Sequence, residues 1–142
     1  MMPRQANTDQ EIVRCFAVML ELRPHLKKES FLPLVRHMYD EGFRLAYLEK
    51  ADEIVAVAGY RIYTNLVMGK NLYVDDLVTA QAHRSKGYGE EMLLWLKSVA
   101  RGNGCRYLHL DSGVQRYGAH KFYFRQGLFI TSYHFAEEMP AP

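Results

Sequence analysis

Apolar positions along the chain change period twice, and the changes divide it into elements. From Glu11 to His25 the residues Ile12, Cys15, Phe16, Met19, Leu20 and Leu22 recur at helical spacing, with Thr8 and Asp9 ahead of them as N-caps and Pro24 near the end. A second helical stripe, Phe31, Leu34, Val35 and Met38, follows Ser30 and stops at Glu41-Gly42. The pattern then shortens to strands at Phe43 to Glu49, Ile54 to Thr64 and Leu72 to Thr79, with turns expected at Asp52-Glu53 and Gly69-Lys70-Asn71. Such close spacing predicts an antiparallel meander. Helical period returns from Tyr88 to Arg101, where Met92, Leu93, Leu96 and Val99 form the stripe and Gly102-Asn103-Gly104 ends it. Tyr107 to Leu110 reads as a strand, Ala119 to Arg125 as a short helix stopped by Gly127, and Leu128 to Ala136 as a last strand. Two strand–helix–strand units after a meander predict an α/β chain with a mixed sheet and helices on its faces.

Composition narrows the function classes. With 142 residues, 49% apolar and 24% charged, the chain fits one soluble globular domain over residues 1–142 and excludes a disordered or collagen-like one. A formal charge of +2, from 18 basic and 16 acidic side chains, gives no basic footprint for nucleic acid or an anionic membrane. The longest apolar stretch, Ile54 to Tyr60, is far shorter than the roughly 20 residues that cross a bilayer. Cys15 and Cys105 make no disulfide framework and read as small apolar residues. The six histidines are scattered without metal-ligand spacing, so no metal site is expected. A cytoplasmic protein follows as the expectation.

The segment Arg84-Ser85-Lys86-Gly87-Tyr88-Gly89 carries the most chemistry. A strand ends, a glycine-containing turn follows, and a helix begins. Glycines admit unusual dihedrals and close ligand approach, the first helical amides lack intrahelical partners, and the helix dipole makes that end partly positive. These are the ingredients of a phosphate site, with Arg84 and Lys86 at its rim. The turn lacks the Gly-x-x-x-x-Gly-Lys-Ser/Thr of a Walker loop, and it lacks the third glycine of a dinucleotide fingerprint.

Two segments at this spacing resemble the GNAT superfamily of N-acetyltransferases. Leu72 to Thr79 followed by Arg84-Ser85-Lys86-Gly87-Tyr88-Gly89 is similar to the family's acetyl-CoA strand and its Arg/Gln-x-x-Gly-x-Gly/Ala loop. Ala119-His120-Lys121-Phe122-Tyr123-Phe124-Arg125-Gln126-Gly127-Leu128 resembles its Ala-x-x-Phe-Tyr-x-x-x-Gly-Phe segment, with Leu128 in place of the final Phe. The resemblance implies a GNAT-like fold, a mostly antiparallel twisted sheet with one splayed parallel pair, flanked by helices. It implies acetyl transfer from acetyl-CoA to a primary amine of a small molecule or peptide by direct attack. The alternative is a non-catalytic acyl-CoA-binding or regulatory module.

Residue by residue, the resemblance assigns Arg84, Ser85, Lys86, Gly87, Tyr88, Gly89 and Glu90 to the pyrophosphate, and Leu77, Val78 and Thr79 to backbone pairing with the pantetheine arm. Tyr123 matches the general acid that protonates the leaving thiolate. Asp75, nine residues before Arg84, stands where polyamine acetyltransferase-like members carry a glutamate, as a base or as an attractor for a cationic amine. If the strand is regular, Asp76 points to the opposite face. Arg116 replaces an Asn that in many members contacts the cofactor arm, and it could reach a phosphate or an anionic acceptor instead. Tyr73, Arg61, Tyr63, His109, Asp111 and His134 are lesser pocket candidates. Family members are often homodimers.

Overall fold

Residues 2–142 are described by a computed structural model. The elements run β1 (Arg4–Gln5), α1 (Asp9–Arg14), α2 (Phe16–Leu22), α3 (Lys28–Asp40), β2 (Phe43–Lys50), β3 (Glu53–Asn65), β4 (Gly69–Thr79), a 3-10 turn at Gln81–His83, α4 (Tyr88–Gly102), β5 (Tyr107–Leu110) and α5 (Tyr117–Arg125). The chain divides into two compact units, Met1–Leu110 and Asp111–Pro142.

The helical stripe expected to run unbroken from Glu11 is two helices. At Cys15 the backbone N–H bonds the carbonyl of Ile12, three residues back, and the helix restarts at Phe16. The start of α1 is fixed by a capping box. The Glu11 N–H donates to Thr8 Oγ1 at 3.1 Å, while the Thr8 N–H donates to Glu11 Oε1 at 2.9 Å. The other Glu11 oxygen accepts from the Tyr47 hydroxyl at 2.6 Å, which ties α1 to the sheet. α3 begins at Lys28, two residues before the expected Ser30. The hairpin between β3 and β4 turns at residues 66–68 rather than at Gly69-Lys70-Asn71, which is already strand. Asn71 is fully buried there. Its amide donates to the carbonyls of Tyr63 and Gly69, both at 3.1 Å, and its oxygen meets His109 Nε2 at 2.7 Å.

Five strands form one sheet in the order β1-β2-β3-β4-β5. The first four pair antiparallel, and β4 pairs with β5 parallel. The expected mixed sheet with one parallel pair is therefore present, with the two-residue β1 added at its edge. The parallel pairing covers only Asn71 to Val74 against Tyr107 to Leu110. Beyond Val74, β4 continues to Thr79 with β3 as its partner on one side.

At that point β4 carries a bulge. Gly59 of β3 faces Asp76 and Tyr60 faces Val74, so Asp75 is an extra residue. The bulge reverses the inside–outside phase of the strand. Leu72 and Val74 join the core cluster with Met92 and Leu96 of α4. Val78 joins the cluster on the other face, with Ile12, Met19, Phe31 and Val35. In a regular strand, positions 74 and 78 would share a face.

Leu128 to Ala136, expected as a last strand, is not one: no strand is formed after Leu110 among the described residues. Phe129, Ile130, Tyr133 and Phe135 stand exposed. Alternation and β-branched content fit a pleated surface only when a neighbouring strand supplies it, and this segment has none.

The Glu11 carboxyl is held down to about 2, chiefly by the Tyr47 hydrogen bond and next by the Thr8 backbone N–H. A depressed carboxyl pKa contributes stability that is present above the unfolded value, 4.5, and is lost as pH falls toward 2. Urea unfolding between pH 5 and pH 2 (~3 pH units) is expected to show a steeper loss of stability in the natural chain than in Glu11→Gln. Parallel pH profiles would contradict the assignment.

Candidate active site

The Arg84–Gly89 turn follows β4 through the 3-10 turn and delivers the chain into α4. Gly87 is the N-cap of α4 and adopts a left-handed conformation, φ 84°. A side chain there would meet no atom, but the backbone conformation itself favours glycine. No side chain caps this helix start, and the first helical bond runs from the Glu91 N–H to the Gly87 carbonyl. The turn is thus an open amide-lined helix N-terminus. Arg84, Ser85, Lys86, Gly87 and Glu90 are exposed, while Tyr88 and Gly89 are half-buried. Ser85 also has positive φ, 65°. Behind the loop, Lys50 sits over the Tyr88 ring at 5.8 Å and pairs with Glu91 at 3.6 Å.

Leu77, Val78 and Thr79 register with Ala58, Val57 and Ala56 of β3. No strand pairs with their other edge among the described residues, because β5 stops opposite Val74. A sheet edge that opens directly into an amide-lined turn suits an extended ligand ending in a pyrophosphate.

The two β4 carboxylates depart from the expectation of opposite faces. Asp75 is gripped by Arg61, whose Nε and Nη2 donate to its two oxygens at 2.9 and 2.8 Å. Asp76 lies over Gly59: a Cβ at Gly59 would come within 2.5 Å of Asp76 Oδ2 and of the Phe43 ring. Gly59 and Arg61 are two apart on β3, so both aspartates stand on the α2–α3 face. Arg23, just past α2, donates from Nε to Asp76 Oδ1 and from Nη2 to the Asp75 carbonyl, each at 2.9 Å. Burial pushes the Asp76 carboxyl above its ordinary value, opposed by the Arg23 hydrogen bond.

The lesser candidates sort into two groups. Arg61 stacks over Tyr73 at 5.5 Å, and Tyr73 meets His109 edge-on at 4.9 Å, so these three and Asp75 form one cluster. Tyr63 is exposed further along β3. In the second unit, Asp111 pairs with His134 at 3.5 Å. Tyr123 lies on α5, half-buried, with its ring against Phe122 at 5.5 Å. Burial pushes its phenol up and Arg116 opposes this. Arg116 is exposed at the N-cap of α5.

With this geometry in place, the similarity to known proteins is informative. The acetyltransferase (GNAT) family matches residues 10–128. The chain belongs to the GNAT acetyltransferase family. It is 34% identical over 134 residues to the uncharacterized N-acetyltransferase YhdJ of Bacillus subtilis, covering 93% of this chain and 94% of that protein. Two solved GNAT structures share the fold. One is AAC(6')-Iy in complex with the bisubstrate analogue CoA-S-monomethyl-acetylneamine, with TM-score 0.86, 12% identity and coverage of 98% of this chain and 97% of that one. The other is a GNAT family acetyltransferase of Staphylococcus aureus, with TM-score 0.81, 15% identity and coverage of 97% and 98%.

Sequence reasoning passed over Gly59, Arg23 and the pairing of Asp76. An isolated glycine inside an apolar strand is a signal for a bulge or a close approach, and Gly59 carried it. Arg23 has no such signal. Replacing Gly59 by Ala in this GNAT chain is expected to cost about 1–3 kcal/mol in urea unfolding, because backbone, carboxylate and ring must all shift. A change within about 0.5 kcal/mol would show that the contact is slack.

Proposed function

We propose that this GNAT chain, as a single acetyltransferase domain over residues 1–142, is an N-acetyltransferase moving the acetyl group of acetyl-CoA to a primary amine of a small molecule or peptide. The observation that carries the reading is the uncapped α4 start behind a left-handed Gly87, reached directly from the half-paired end of β4. Arg84, Ser85, Lys86, Gly87, Tyr88, Gly89 and Glu90 take the pyrophosphate, and Leu77, Val78 and Thr79 offer backbone groups to the pantetheine arm. Arg116 adds a cation for a phosphate or an anionic acceptor group.

The neutral amine attacks the thioester carbonyl, and a C–N bond forms as the C–S bond breaks. The amine's proton passes to water or a carboxylate, and the departing thiolate takes the proton of Tyr123. A free thiol has a pKa of about 8.5 and tyrosine about 10; burial raises the half-buried Tyr123 phenol further, which keeps it protonated and adds to the cost of the transfer. Asp75 has both oxygens on Arg61, which offsets its charge, so its part in removing the amine's proton runs through water rather than by direct contact. No metal ion has a part in this chemistry. Unbridged Cys15 and Cys105 agree with work in the reducing cytoplasm, and no helix among the described residues is long and apolar enough to cross a membrane.

Thiol release from acetyl-CoA on addition of primary amines tests the reading. Tyr123→Phe is expected to lower turnover by about tenfold or more while coenzyme A affinity is retained. Unchanged turnover would remove Tyr123 from the mechanism. Tight coenzyme A binding with no turnover of any amine would favour the non-catalytic module.

A homodimer is the proposed assembly. The exposed Phe129, Ile130, Tyr133 and Phe135 are the kind of apolar surface that a second copy covers. Light scattering at micromolar concentration is expected to give twice the chain mass; the single-chain mass would contradict it.

A further inference from the structure

Behind the β4 bulge, wholly within the first unit, lies a cavity of about 290 Å³. Met19, Leu26, Phe31, Leu34, Met38 and Phe43 wall it, from α2, the α2–α3 connection, α3 and β2. Met19, Phe31 and Phe43 are buried, whereas Leu34 is 43% exposed, so the space has an apolar floor and a solvent-facing rim. Roughly 150 Å³ of apolar cavity holds a benzene ring, so this volume suits a ring or branched alkyl group with a short linker.

The charged and titratable groups at its wall are Arg23, His25 and Asp76. Arg23 is occupied by Asp76 Oδ1 and the Asp75 carbonyl. Asp76 Oδ2 receives no donor from the described residues, although the side chain is only 12% exposed. Oδ2 is open to solvent at the cavity wall, so a ligand ammonium there replaces a water with a charged N–H donor. Asp76 and Val78 share a face of β4 two residues apart, roughly 7 Å along the strand. An ammonium on Asp76 would therefore sit one pleat from the segment assigned to the donor's arm.

We propose that this cavity is the acceptor site, and that it takes a primary ammonium carried on an apolar body, an arylalkyl or branched alkyl amine, with the ammonium on Asp76. The proposal rests on the acetyl-transfer reading for its chemistry, but not for binding. Polyamines and aminosugars fit poorly. Their hydroxyls and additional ammonium groups would lie unpaired against methionine and phenylalanine, a loss that such walls cannot repay.

The full chain is assayed for thiol release from acetyl-CoA with 2-phenylethylamine, 3-methylbutylamine, ethanolamine, 2-aminoethylphosphonate and spermidine. In parallel, saturation-transfer NMR without acetyl-CoA measures binding of 2-phenylethylamine, with 2-phenylethanol as the uncharged control. The two apolar amines are expected to have kcat/KM about tenfold or more above the polar three. Leu34→Trp, at the rim where added bulk is tolerated, is expected to raise the KM for 2-phenylethylamine about tenfold with acetyl-CoA affinity unchanged. Asp76→Asn is expected to reduce 2-phenylethylamine binding to the level of 2-phenylethanol. Faster turnover of the polar amines, or an unchanged KM in Leu34→Trp, overturns the acceptor class and leaves acetyl transfer standing. If 2-phenylethylamine binds, Leu34→Trp abolishes that binding and no amine turns over, the cavity assignment holds and the acetyl-transfer reading falls. Neither binding nor turnover of the apolar amines overturns the proposal outright.

Discussion

One extra residue in β4 sets the arrangement of the first unit. The bulge at Asp75 lets a single strand serve two cores, Leu72 and Val74 toward α4, Val78 toward α1–α3. It brings both carboxylates to the α2–α3 face, where Arg61 pairs with Asp75 and Arg23 with Asp76. The parallel partner β5 ends opposite Val74, just before the bulge, and leaves the last five residues of β4 with one open edge. Gly59 is the cost on the facing strand, since only a residue without a side chain lies under Asp76 and Phe43.

The division of labour follows from that geometry. In the proposed reaction the donor is met by backbone: an open strand edge and an uncapped helix start, shaped by glycines and nearly indifferent to the other side chains. The proposed acceptor cavity is walled by side chains from α2, α3 and β2 rather than by the sheet edge. Family membership therefore speaks to the donor half, and the particular methionines, phenylalanines and aspartates of this chain speak to the acceptor half.

Legibility in the sequence divides along the same line. The Arg84–Gly89 turn into α4 and the end of α5 before Gly127 are legible because left-handed helix boundaries demand glycine. Core strands β2 to β4 and the α4 stripe were readable from period, with Ala100 rather than Val99 fully inside. What escaped was decided by contacts distant in sequence. The face of Asp76 depends on a bulge that alternation alone cannot locate, and its partner Arg23 is 53 residues away. The Leu128–Ala136 segment has the composition of a strand without a neighbour to make it one. The helix break at Cys15 has no residue signature, since neither glycine nor proline stands there.

Everything proposed for this chain depends on the Gly87 turn and the β4 edge binding acetyl-CoA. Calorimetric titration of the full chain with acetyl-CoA, with ATP and NAD as controls, tests it most directly. Micromolar binding of acetyl-CoA is expected, and none of comparable strength for the other two nucleotides. Absence of acetyl-CoA binding, or equal binding of all three, would contradict it and reduce the Arg84–Gly89 turn to a connection between strand and helix.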